Sequence, residues 1–105
     1  MLAAQNYGKV LERIFDDVEI RLYGSYHRNA ATKDSDIDLA VISPDFRDMN
    51  YLLSLKILNR LKLGVDLDIE PISLTPEEFQ NPLIGSIAYS VAKDSETVFT
   101  SAPWF

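Results

Sequence analysis

Two kinds of hydrophobic pattern alternate along the chain. Apolar residues that recur every three or four positions, as over residues 7–18 and 47–61, predict amphipathic helices with one buried stripe. Apolar–polar alternation or a β-branched run, as over residues 37–42, predicts a strand. The predicted helices cover residues 7–18, 25–31 and 47–61, with two more beginning at Thr75-Pro76 and Asn81-Pro82, and the predicted strands cover residues 18–23, 37–42, 65–70 and 97–99.

The alternation of helices and strands predicts an α/β domain with helices packed against a small sheet. The last helix is expected to bury Leu83, Ile84, Ile87 and Val91. A chain of 105 residues can bury one core but not two, so residues 1–105 are expected to form a single domain.

The amino-acid composition excludes or disfavours several kinds of functional site. The chain has no Cys and one His, His27, which excludes disulfides, thiol nucleophiles and multi-histidine metal sites. Its 16 acidic and 10 basic residues give a formal charge of -6, which disfavours binding to long nucleic acid. Without a long apolar run or a leader-like start, the chain is expected to be cytoplasmic, with no membrane contact.

One segment combines residues suited to phosphate and metal chemistry. Gly24-Ser25 follows a predicted strand and opens a helix, where free amide groups can hold phosphate. Asp36 and Asp38 lie two apart on a strand, so both carboxylates share one face and can bind divalent cations. The intervening loop is long enough to bring the two features together. This pattern predicts metal-assisted phosphoryl or nucleotidyl transfer.

A third acid is expected beside this pair, to bind a second cation or to take a proton from the acceptor hydroxyl. The candidates are Asp66, Asp68 and Glu70, which alternate along the predicted strand at residues 65–70 and therefore share a face.

The segment resembles the signature of the DNA polymerase β-like nucleotidyltransferase superfamily, in which Gly-Ser is followed by Asp-x-Asp. More narrowly, it is similar to the minimal nucleotidyltransferases, including the MntA-like antitoxin type. The resemblance extends to residues 68–71 and 75–79. It implies a small mixed β-sheet flanked by helices, Mg²⁺ and ATP, and transfer of AMP to a hydroxyl of a partner protein, with a helical HEPN toxin as the partner.

Carried over by position, the resemblance implies that Gly24 and Ser25 bind the nucleoside triphosphate and that Asp36 and Asp38 bind magnesium. Glu70 is its first choice for the third acid, ahead of Asp68 and then Asp66. Arg28 is a further candidate for phosphate contact, with a surface salt bridge as the alternative. Two residues depart from the family pattern: Asn29 replaces a usual Gly, and His27 replaces a small residue.

Other interpretations of these residues and of the function are open. Asp34, Asp36 and Asp38 match the start of a calcium-binding loop, but Leu39 and Asp45 break that pattern. An antitoxin or regulatory subunit that binds without turnover is the main alternative function. A transferase acting on small antibiotics or on tRNA ends is a third. The aromatic tail, Trp104-Phe105, either packs on the domain or docks on another chain, so oligomerisation stays open.

Overall fold

A computed structural model of the chain describes residues 1–101. Trp104 and Phe105, for which packing on the domain and docking on another chain were both open, lie outside the described residues. The elements in chain order are α1 (Leu2–Leu11), β1 (Glu19–Leu22), α2 (Gly24–His27), β2 (Ile37–Ile42), a 3-10 helix (Pro44–Asp48), α3 (Tyr51–Lys62), β3 (Ile69–Leu74), α4 (Pro76–Gln80), α5 (Ile87–Lys93) and β4 (Glu96–Thr100).

The four strands form one mixed sheet in the order β3-β2-β1-β4. Strand β1 pairs antiparallel with β2 and β4, and β2 pairs parallel with β3. The predicted α/β class, with a small mixed sheet flanked by helices, is confirmed. Because β2 is a central strand, its Ile37, Leu39 and Val41 are almost fully buried, as the β-branched run predicted.

Helices cover both faces of the sheet and build two hydrophobic clusters. The larger cluster joins α1 and α3 to one face, with Tyr7, Leu11 and Leu58 fully buried at its centre. The smaller joins α4 and α5 to the other face around Leu74 and Val91. Within residues 1–101, every helix is too short or too polar to cross a bilayer.

The first helix begins and ends earlier than predicted. It spans Leu2–Leu11, and residues 12–17 form turns that lead into β1. The helical spacing predicted the wrong end of the helix, because Phe15 and Val18 are buried although they lie beyond it. Ile14, in contrast, is 53% exposed. These turns end directly before Val18, and β1 then begins at Glu19.

The third strand was also misplaced in the prediction. Residues 65–70 were expected to form it, but β3 spans Ile69–Leu74. A carboxylate oxygen of Asp66 accepts a hydrogen bond from the Asp68 amide (2.9 Å), which favours a local turn over a strand, and Leu67 between them is 68% exposed. Strand β3 lies at the sheet edge, where Pro71 is tolerated.

The last helix is shorter than the hydrophobic pattern suggested. Helix α5 begins after Ser86, whose hydroxyl caps it by accepting from the Tyr89 amide (3.2 Å). Leu83 and Ile84 therefore precede the helix and are 80% and 87% exposed, so the prediction that they are buried is wrong. The predicted edge strand at residues 97–99 is confirmed as β4, and the predicted helix at Thr75-Pro76 is confirmed as α4 with its capping box.

Candidate active site

The turn from β1 into α2 lies directly against a carboxylate of β2. The amide of Tyr23, in extended backbone, donates to the carbonyl oxygen of Asp38 (3.1 Å). Gly24 follows with φ +73°, in the left-handed region that side chains disfavour. A Cβ atom on Gly24 would overlap Oδ2 of Asp38. Glycine is therefore required here both by backbone conformation and by the close approach of this carboxylate.

The same turn also contains backbone amide groups that have no acceptor within the helix. Gly24, Ser25 and Tyr26 are the first residues of α2, so their N–H groups have no acceptor within the helix. The helix stops after one turn because Asn29 adopts φ 58°. Asn is the residue other than Gly that best tolerates this conformation, so the departure from the family pattern at Asn29 preserves the turn.

Parallel pairing of β2 with β3 brings two acids side by side. Asp38 lies opposite Glu70 in the register, and both belong to the sheet face that α4 and α5 cover farther along. Their neighbours Ile37 and Ile69 point the other way and are buried. Asp36 immediately precedes β2 and adds a third carboxylate to this end of the sheet.

The neighbouring charged groups change the ionisation of the Asp38 carboxyl. Partial burial raises the pKa of the Asp38 carboxyl above its ordinary value, and the charges of Asp36 and Glu70 raise it further, while the Arg28 guanidinium opposes them. Burial also raises the pKa of the Tyr23 hydroxyl to about 12, with Asp38 the next cause. A cation bound here would relieve the repulsion between the acids.

The other two candidates for the third acid lie elsewhere. Asp66 and Asp68 are in the turn before β3, not on a strand face beside Glu70, so the prediction that all three share a face is wrong. The Asp68 carbonyl accepts from the Ile37 amide (2.7 Å), which gives this residue a backbone role at the start of the parallel pair.

The donor set suits magnesium that arrives with a nucleotide. Among residues 1–101, the side chains of Asp, Glu and His form no preassembled group of three metal ligands. Mg²⁺ is commonly held by one or two carboxylates together with substrate phosphates, and it keeps several waters. Asp36 and Asp38 beside the α2 turn offer two carboxylates where phosphate can complete the shell.

A cavity of about 310 Å³ opens beside this turn, between α2 and α5. Tyr23, Gly24 and Arg28 line it from one side, and Tyr89, Ser90, Lys93 and Asp94 line it from the other. Sequence reasoning missed the contribution of α5. Only the i, i+4 spacing of Tyr89 and Lys93 hinted at it, and the Lys93 ammonium lies 5.4 Å from the centre of the Tyr89 ring.

The comparison with protein families agrees with this geometry. The profile of the nucleotidyltransferase domain matches residues 6–94. This chain belongs to the nucleotidyltransferase domain family. No curated protein sequence matches it.

Two solved structures share the fold of this nucleotidyltransferase domain. One, from Sulfolobus solfataricus and described as a "putative nucleotidyltransferase", superposes with a TM-score of 0.69 at 18% identity, covering 91% of this chain and 76% of that one. The other is described as a toxin-antitoxin with AMP-PNP. It gives a TM-score of 0.58 at 22% identity, covering 87% of this chain and 68% of that one.

Arg28 and His27, side by side in the domain, have different surroundings. Arg28 is exposed and, among residues 1–101, forms no ion pair within 4.0 Å, so its guanidinium is available to the cavity. His27 is not a simple surface residue: its ring lies between the carboxylates of Asp94 and Glu96.

A second cavity, of about 330 Å³, lies near the start of α3 and the start of α5. Apolar residues dominate its lining, among them Leu74, Pro82 and Ile87. None of the candidate site residues lines it, so it has no direct part in the chemistry considered below.

Proposed function

We propose that this domain transfers AMP from ATP, with Mg²⁺, to a hydroxyl group of a partner protein. The observation that carries the proposal is the packing of the Asp38 carboxylate against Gly24, with Asp36 and Glu70 beside it. Backbone amides suited to phosphate and acids suited to a metal lie at one end of the sheet, an arrangement that supports nucleotidyl transfer.

In this reaction the acceptor oxygen forms a bond to the α-phosphorus of ATP. The bond from that phosphorus to the oxygen bridging to the β-phosphate breaks, and pyrophosphate leaves. The first amides of α2 hold the triphosphate, and Arg28 adds positive charge to it. Glu70 receives the proton of the acceptor hydroxyl. Asp36 and Asp38 would hold Mg²⁺, which would supply positive charge to neutralise the phosphate oxygens.

The partner we propose is a HEPN-type toxin, which makes the domain an antitoxin of the MntA-like type acting in the cytoplasm. Residues 1–101 form one sheet with its helices, and none of these elements builds a separate platform for an acceptor. A fold shared with a toxin-antitoxin structure that contains AMP-PNP supports both the nucleotide and the partner.

The test is transfer of label to the product of the adjacent gene. The purified domain is incubated with that protein, Mg²⁺ and ATP labelled on either the α- or the γ-phosphate. The proposal predicts label on the partner from α-labelled ATP alone, because nucleotidyl transfer retains only the α-phosphate. Asp36→Asn and Asp38→Asn should each lower transfer by about 10²-fold or more.

Asp34→Asn is the matched control, since Asp34 is an exposed acid of the same loop outside the strand. It should keep nearly full transfer. An unlabelled partner that is nevertheless inhibited would favour the binding-only antitoxin instead. Label from γ-labelled ATP would contradict nucleotidyl transfer.

A further inference from the structure

His27 is clamped between two acids that belong to a different part of the chain. Its Nε2 lies 3.0 Å from Asp94 Oδ1, and its Nδ1 lies 3.5 Å from Glu96 Oε1. Since each carboxylate faces a different ring nitrogen, an imidazolium can donate to both at once. The His27 side chain is only 22% exposed, whereas those of Asp94 and Glu96 are 57% and 58% exposed. His27 therefore connects α2 to the turn after α5 and to the start of β4.

This clamp borders the cavity beside the phosphate-binding turn. Arg28 and Lys93 are the cations of the cavity lining, and Asp94 is its carboxylate. With Asp94 neutralised by an imidazolium at His27, the formal charge of the lining rises from about +1 to about +2, in a chain whose formal charge is -6. Unpaired, Asp94 would repel an anionic ligand from the same space.

The turn at Ser95, between Asp94 after α5 and Glu96 at the start of β4, is itself fixed. Arg21 donates to the hydroxyl of Ser95 (2.7 Å) and to its carbonyl oxygen (3.1 Å). The guanidinium of Arg21 is in turn paired with the buried Glu19 (2.9 Å). Its charge is thus already balanced, and the acids on either side of Ser95 depend on His27 for neutralisation.

We propose that His27 is a positioning residue that sets the affinity of this cavity for the triphosphate tail of a nucleotide. It does so by neutralising Asp94 and Glu96. The inference rests on the proposed function for the identity of the nucleotide. The His27 side chain itself touches the two acids rather than the ligand.

The test compares charge-rich and charge-poor ligands on the unaltered chain and its variants. Binding of Mg²⁺-ATP, the Mg²⁺ complex of inorganic tripolyphosphate, and AMP is measured by calorimetry. His27→Gln should weaken binding of ATP and tripolyphosphate by about five- to tenfold, since one cation at contact distance is removed and two carboxylates are released. Binding of AMP should change much less.

A rescue experiment distinguishes an effect of charge on ligand binding from a loss of folding. Adding Asp94→Asn and Glu96→Gln to His27→Gln should restore tripolyphosphate binding, because the charges that His27 neutralises are then gone. A charge-matched control adds Glu12→Gln and Asp48→Asn instead. These are exposed acids on other elements, and their removal should not restore binding. Thermal unfolding of each variant checks that all of them fold.

Two outcomes would overturn the inference. One is unchanged tripolyphosphate binding in His27→Gln, and the other is a loss that the Asp94 and Glu96 substitutions fail to reverse. In both cases ATP binding by the unaltered chain would leave the proposed function standing. If the unaltered chain binds no triphosphate at all, the proposed function and this inference both fail.

Discussion

At the scale of single residues, Asp38 is held in surroundings that disfavour its charge. Its folded pKa lies above the ordinary value, so the stability linked to this group is complete below the ordinary carboxyl pKa and is lost as the pH rises through the raised one. At neutral pH the ionised side chain therefore destabilises the fold. Such a cost is typical of groups kept for function rather than stability.

Replacement of Asp38 tests whether its charge lowers the stability of the fold. Asp38→Asn should stabilise the metal-free chain at pH 7 by a few tenths to about 1 kcal/mol, allowing for solvent screening of a partly exposed group. The gain should vanish near pH 3, where the carboxyl is protonated in both states. Denaturant unfolding at the two pH values measures it, with Asp34→Asn as control. A less stable variant at pH 7 would contradict this account of the site.

Gly24 supplies the second prediction. Gly24→Ala should destabilise the chain by roughly 1 to 3 kcal/mol, since it adds left-handed strain and an overlap with the Asp38 carboxylate. ATP binding should be lost with it. Gly64→Ala is the control, because a Cβ there meets nothing within 4 Å. Equal stability of the two variants in denaturant unfolding would show that the turn is not packed as described.

Single residues were predictable where their role depends on short-range backbone chemistry. The spacing of Asp36 and Asp38 singled them out as candidates, and Asn29, noted in the sequence because it replaces a usual Gly, adopts φ 58°. Lys93 and Asp94 were not found. They reach the cavity through tertiary packing of α5, which no local pattern encodes.

At the scale of elements, β2 was predicted correctly because a buried central strand has a continuous apolar run. Strand β3 was shifted, because a side-chain hydrogen bond in the turn at Asp66 competes with strand formation. The register of β3 matters for the chemistry, since it decides which acid lies opposite Asp38.

This register gives the third prediction. Glu70→Gln should lower transfer of AMP by about 10²- to 10⁴-fold, the usual effect of losing a general base. Asp68→Asn should leave it close to that of the unaltered chain, because Asp68 lies in the turn and contributes its backbone carbonyl. Initial rates with α-labelled ATP measure both. A larger loss in Asp68→Asn than in Glu70→Gln would mean that the third acid is misassigned.

At the scale of the whole molecule, the sheet order places the site at the junction of three strands. The end of β1 delivers the turn at Gly24, and the starts of β2 and β3 deliver the acids. Helical periodicity and strand alternation established the α/β class from the sequence. The strand order could not be derived in this way, because it depends on long-range pairing.

The net charge of -6 affects how the whole molecule binds metal and nucleotide. An acidic chain attracts divalent cations and repels a free triphosphate, so metal and nucleotide should bind together rather than separately. The cations of the cavity lining, Arg28 and Lys93, lie beside the turn at Gly24 that the proposed function assigns to the triphosphate.

In the proposed active site, Asp36 and Asp38 share a divalent cation with a triphosphate held at Gly24 and Ser25. Anomalous diffraction from crystals grown with Mn²⁺ and a non-hydrolysable ATP analogue tests it most directly. The account predicts a manganese peak within coordination distance of both carboxylates, with phosphate oxygens on the first amides of α2. Nucleotide bound at another surface, or manganese that contacts neither aspartate, would contradict it.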